Sequence, residues 1–246
     1  MKALMIKFVL VLSLTGFSGL TQLHAANADV PSVPSYPTPI LVGDVFQFVE
    51  GSWGEYELYD KNEDSSFVLR MSILGTEQVR RRWFSRRRPY RWLEFEVTLP
   101  DEPRVIVKYL AEETPEGPGE PHEMILQIEE FENPLRIGRR MLARGDEVIV
   151  DDGLEWVRHQ VDEEVITHDE RSFTAWRVTA ETEDGDTVEA VVSKDLPPFG
   201  LYFTETAEMR MQLLDCGMDA SSQITGKPLG LTRWITRIVR DSMREE

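Results

Sequence analysis

From residue 53 onward, hydrophobic and polar side chains alternate with a period of two through most of the chain, the pattern of strands with one dry and one wet face. Tyr56 and Leu58 alternate with Glu55 and Glu57, then Phe67, Leu69, Met71 and Ile73 with Arg70 and Ser72. The cleanest run sets Leu93, Phe95, Val97 and Leu99 against Trp92, Glu94, Glu96 and Thr98. Val105 to Leu110 and the set Met124, Leu126 and Ile128 continue it. The longest unbroken stretch is Arg171 to Leu213. There Thr174, Trp176, Val178 and Ala180 alternate with Ala175, Arg177 and Thr179, and the Glu183-Asp184-Gly185-Asp186 turn leads back through Val188, Ala190 and Val192. Asp-Gly tolerates positive φ and so favours a hairpin. Two prolines in Leu196-Pro197-Pro198-Phe199-Gly200 break the ladder, since neither can donate a hydrogen bond. A last strand pair places Leu201 with Phe203, then Met209, Met211 and Leu213 against Glu208, Arg210 and Gln212.

Breaks in the alternation fix the remaining elements. Gly75 ends or bulges its strand, Thr114 to Pro121 reads as an irregular loop, and Val148 to Val150 and Leu154 to Val161 read as short strands. Glu132 to Arg144, with Leu135, Met141 and Leu142, predicts an amphipathic helix after Pro134. Leu231, Trp234, Ile235, Ile238 and Val239 make one helical stripe in a second helix from Leu231 to Met243, which either packs on the domain or lies on a membrane or partner. Nine or ten strands, each with an apolar face, and only two helices to cover them predict a mainly β protein. We expect a single antiparallel, strongly curved sheet, a half-open barrel or β-clam, with one or two covering helices.

The ends of the chain change the compartment rather than the fold. Lys2 and Lys7 frame a short apolar run from Phe8 to Phe17, followed by small residues at Ala25 and Ala28, which predicts a secretory signal over 1–25. A proline-rich linker follows over 26–40, then the β domain over 41–222 and the helical segment over 223–246. Val45, Phe46 and Phe48 fit either a short helix or an extended docking segment. We expect a periplasmic protein without a lipid anchor, because no cysteine follows the cleavage site. Loss of the two signal lysines leaves 27 − 2 = 25 basic residues against 44 acidic ones, a charge of 25 − 44 = −19. Such acidity argues against nucleic acid as a partner. Cys216 is the single cysteine, so no internal disulfide forms, and a small buried hydrophobe is its ordinary role.

Candidate chemistry is sparse. His122, His159 and His168 lack the i, i+4 spacing of a helical metal site, and neither a nucleophile elbow nor a phosphate-binding glycine loop is present. We therefore expect no metal, no cofactor and no catalytic residue. The inward set offers Phe67, Met71, Phe95, Met124, Trp176, Met209 and Met211 as an apolar lining, and methionine adapts to irregular shapes such as acyl chains as readily as it fills ordinary cores. The other unusual feature is the hairpin tip from Arg80 to Arg91, with seven arginines in twelve residues of an acidic chain. Those arginines either pair with acidic neighbours such as Glu94 and Glu96, or remain solvated, or contact an anion. In the last case Arg86, Arg87, Arg88 and Arg91 would grip a head group at an anionic membrane surface or an acidic envelope protein, with Trp83, Phe84 and Tyr90 at the interface.

Trp53-x-x-Tyr56, Trp92-x-Glu94-Phe95, Ser172-Phe173-Thr174-Ala175-Trp176-Arg177-Val178 and Val192-Ser193-Lys194-Asp195-Leu196-Pro197-Pro198-Phe199-Gly200-Leu201 together resemble secreted bacterial proteins similar to the periplasmic lipoprotein carriers LolA and LolB. The resemblance covers Gly51 to Leu213 and implies a half-open antiparallel barrel, lidded by helices, around an acyl-binding cavity. The chain departs from LolB in lacking a lipidated cysteine, and its arginine-rich tip has no counterpart there. The expectation is a non-catalytic periplasmic protein that shelters an acyl chain or other apolar ligand. Two readings stand beside it: a structural or assembly protein with a self-filled core, and a hydrolase using acidic residues. A cavity lined by apolar groups separates the first from the second.

Overall fold

A computed structural model describes residues 47–79, 88–114, 117–142, 158–169, 171–181 and 187–242. The expected signal and linker, Trp83, Phe84, Arg86 and Arg87, the strand at 148–150 and the turn at 183–186 lie outside them. The chain runs β1 (Trp53–Asp60), β2 (Ser65–Val79), β3 (Arg88–Thr98), β4 (Val105–Thr114), β5 (Gly117–Ile128), β6 (Leu135–Gly138), α1 (Arg139–Leu142), β7 (Arg158–His168), β8 (Arg171–Glu181), β9 (Thr187–Val192), β10 (Leu201–Glu205), β11 (Met209–Gly217), β12 (Leu229–Gly230) and α2 (Leu231–Ser242). All twelve strands belong to one sheet, ordered β12-β6-β5-β4-β3-β2-β1-β11-β10-β9-β8-β7. Every pairing is antiparallel except that of β12 with β6. The sheet is curved and unclosed, as the alternation predicts.

Register turns the strand patterns into one apolar surface. Tyr56, Leu69, Val97, Val105 and Ile128 stand opposite one another across β1 to β5. Met71, Phe95, Val107, Leu126 and Leu135 form the next row across β2 to β6. The main buried cluster joins Tyr56, Leu58, Leu69 and Met71 to Leu201, Met209, Met211 and Leu213, while Val105, Val107, Met124, Leu126, Leu135 and Ile137 lie in a second one. At the far end the sheet curls, so that the His168 ring of β7 meets Tyr202 of β10 edge to face with centroids 5.8 Å apart.

Four local expectations are corrected. Leu135 to Gly138 is a strand, not the start of a helix, because Leu135 and Ile137 alternate with Arg136 and complete the ladder of β5; only Arg139–Leu142 is helical. Gly117 to Pro121 is strand rather than loop. The residues paired from β6 reach only Gly138 opposite Glu123, so among the described residues Pro118 and Pro121 face no second neighbour that would need their missing N–H. A bulge between Leu201 and Phe203 shifts β10 by one residue, placing Thr204 rather than Phe203 opposite Met211 and Ala190, with Thr204 buried. In β8 Ala175, from the face expected to be wet, is fully buried, and Trp176 is half-buried outside the buried clusters.

Candidate functional site

The apolar face is where a ligand would sit, and the chain's own residues cover it. Phe48 docks on Ile73, Leu93 and Ala111 from a tight turn in which the Val49 N–H donates to the Gln47 carbonyl, held where the Gln47 N–H donates to the Pro198 carbonyl, both at 2.8 Å. The Leu196–Gly200 turn folds inward: Leu196 and Phe199 are buried in the main cluster, and the Phe199 ring lies 6.4 Å from that of Phe95. Over β4 to β6, Met141 and Leu142 of α1 and Trp234 of α2 close the second cluster. Trp234 packs edge to face on Phe131 at 5.5 Å and donates its indole N–H to the Asn133 carbonyl at 2.9 Å. Of the expected lining residues, Met71, Met209 and Met211 are buried in the main cluster with Phe67 and Phe95 packed against it. Met124 lies in the second cluster, and Trp176 in neither.

A feature without a motif occupies the opposite face. After β11, residues 218–228 cross that face as a polar strap. Trp53 Nε1 donates to Asp219 at 2.7 Å and the Ala220 N–H to the Gly51 carbonyl at 2.8 Å. Next, the Ser222 hydroxyl and the Gln223 N–H donate to the two carboxylate oxygens of Glu94 at 2.6 and 2.7 Å. Gln127 then exchanges two hydrogen bonds with Thr225, at 2.9 and 2.7 Å. Glu94, expected on a wet face, is therefore only 2% exposed. Lys108, opposite Glu94 in the register, donates to Ser222 at 3.2 Å, and burial pulls its ammonium below the ordinary range against the opposing pull of Glu94. The indole contact holds Asp219 below the usual carboxylate range.

Chemistry-bearing groups converge in one hollow of about 90 Å³, lined by His168, Asp169, Arg171, Phe173, Asp215 and Cys216. Burial first, then Asp215 and Asp169, push the Cys216 thiol up, and Arg171 only partly opposes them. A thiol held protonated is a poor nucleophile. The buried His168 Nε2 makes no hydrogen bond, with Asp169 Oδ2 at 3.5 Å. No group of three histidine, cysteine or acidic side chains among the described residues is placed to hold a metal ion.

At the base of the arginine hairpin, Arg88 and Arg91 are strand residues rather than tip residues. Arg88 pairs with Glu112 at 2.5 Å, and Arg91 reaches Glu113 at 3.1 Å and Glu50 at 3.3 Å. Their carboxylates are thus not Glu94 and Glu96, since the strap takes Glu94 and Arg104 takes Glu96 at 3.0 Å. Tyr90, expected at an interface, is buried at 1% exposure against His122. At the β12 edge of the sheet, α2 turns only half its stripe inward. Trp234 and Ile238 are half-buried, whereas Leu231, Ile235 and Val239 are 37%, 48% and 45% exposed. No helix among the described residues is long and apolar enough to cross a membrane.

No protein-family model and no curated protein matches the chain. Among solved structures it is similar to that of a "putative lipoprotein" from Parabacteroides distasonis ATCC 8503, at 10% identity and a TM-score of 0.33, covering 70% of this chain and 98% of that one. So distant a likeness carries no argument about function, and the resemblance to LolA and LolB remains a reading of the sequence.

Proposed function

We propose that the protein is a non-catalytic interaction protein of the cell envelope, working through its surface rather than by enclosing a ligand. The observation that carries this reading is the filled apolar face. Phe48, Leu196, Phe199 and Trp234 occupy the positions over the sheet that an acyl chain would take. Among the described residues, the hollow beside His168 and Cys216 measures about 90 Å³ and the one between the Phe131–Asn133 turn and α2 about 20 Å³, against the roughly 300–1,000 Å³ of a ligand pocket. The envelope assignment rests on the signal-like start of the chain. Titration with a fluorescent fatty acid tests the reading. We expect no saturable uptake; saturation at one equivalent would restore the carrier.

A further inference from the structure

We infer that α2 is the docking element and that its partner is an anionic phospholipid surface. This rests on the preceding reading that the protein acts through its exterior. At 100° per residue, Leu231, Ile235 and Val239 fall within an arc of about 80°. They are aliphatic, carry no side-chain hydrogen-bonding group, and are the part of the stripe that the Phe131–Asn133 turn leaves exposed. The far side of the helix bears Arg233, Arg237 and Arg240. Arg237 is tied to Glu132 at 2.8 Å, while Arg233 and Arg240 are exposed. Lys227 precedes the helix, and α1, which packs on the same cluster, adds Arg139 and Arg140. In a chain of net charge −17, Lys227, Arg233 and Arg240 thus accompany an exposed aliphatic stripe, with Glu129, Glu130 and Glu132 on the neighbouring turn and Asp241 in the helix itself.

That combination is the physical description of a helix lying in a membrane interface, aliphatic side chains below the head groups and arginines reaching the phosphates. Charge decides the lipid class. The acidic remainder of the surface is repelled by an anionic bilayer, and because screening acts over about 10 Å, contact through this end sets Arg233, Arg240 and Lys227 nearest the lipid, offset in part by Glu129 and Glu130, and orients the molecule. Area argues against a protein partner. Three aliphatic residues fall well short of the ~800 Å² per side of a stable protein interface, whereas an interfacial helix needs only its own face.

The test is vesicle flotation of the full chain with mixed phosphatidylglycerol and phosphatidylcholine vesicles, against phosphatidylcholine alone. Wild type should float with the anionic vesicles and at least ~10-fold less with the neutral ones. Ile235→Glu should lower the bound fraction by ~10-fold with an unchanged circular dichroism spectrum. If that variant misfolds, Arg233→Glu with Arg240→Glu, both at exposed positions, serves instead. Val165→Glu, on the far edge strand where Val165 is 73% exposed, should bind like wild type. The inference is overturned if wild type does not float, if Ile235→Glu and the arginine variant float undiminished, or if Val165→Glu weakens binding equally. It is also overturned if Ile235→Glu instead dissolves a dimer of a protein that does not float. Fatty-acid uptake with normal flotation would refute the filled face and leave the docking element standing.

Discussion

Glu94 shows how far one side chain can depart from its pattern. Alternation places it on the polar face of β3, and geometry agrees; what alternation cannot see is that residues 218–228 return more than a hundred positions later to cover that face. Removing the carboxylate leaves the Ser222 hydroxyl and the Gln223 N–H without their acceptor. Glu94→Ala should therefore cost about 2–3 kcal/mol by urea denaturation, more than Ser222→Ala; a cost within error of zero would contradict the strap. Cys216 departs from expectation too: it is half-buried rather than buried, and its setting beside His168, Asp169 and Asp215 was not legible. Because burial and carboxylates favour the protonated thiol, its alkylation rate should rise with pH to a midpoint above the ordinary 9.0. A midpoint near neutrality would mean an activated thiol and reopen an enzymatic reading.

The strap is held by backbone conformation at both ends. Gly51 has φ +83° where the Met218 carbonyl approaches, and Gly226 has φ +77° where a Cβ would stand 2.7 Å from the Glu132 carbonyl. Gly226→Ala should destabilise the protein by about 1–3 kcal/mol. It should also accelerate hydrogen exchange at the Leu229 N–H, which donates to Pro134 and ties β12 to β6; unchanged stability and exchange would show that the turn tolerates a side chain. Asp219, pinned by the Trp53 indole, offers a pH probe of the other end. Its folded pKa lies below the ordinary 3.8, so on acidification the contact should persist through that value and release only beneath it. The Trp53 indole resonance followed by NMR should thus titrate below 3.8, and a midpoint at or above 3.8 would contradict the bond. Runs such as β1 and the Met209–Leu213 half of β11 were readable because one face of each is buried in alternation. Where pairing partners decided the outcome, the sequence misled: Leu135 to Gly138 becomes a strand because β5 has an open edge, and the β10 bulge moves Thr204 to a place where period two puts Phe203.

An open sheet of twelve strands has more apolar surface than two short helices can cover, and the arithmetic of elements rightly announced that deficit. How it is met was legible only in part: docking was one of two readings of the Phe48 segment, but the Leu196–Gly200 turn is too short to register as an element, although two large hydrophobes inside a proline turn were a signal that they point inward. Phe199 is the sharpest probe of that solution. Phe199→Ala should cost about 3–5 kcal/mol and create binding for an apolar dye that wild type lacks; a small loss without new dye binding would mean that the turn does not plug the face. The most direct measurement is native mass spectrometry of the protein purified from its own cell envelope, followed by organic extraction. The filled face predicts the mass of the bare chain and no stoichiometric lipid in the extract. One lipid or acyl chain per protein, retained through purification, would contradict it.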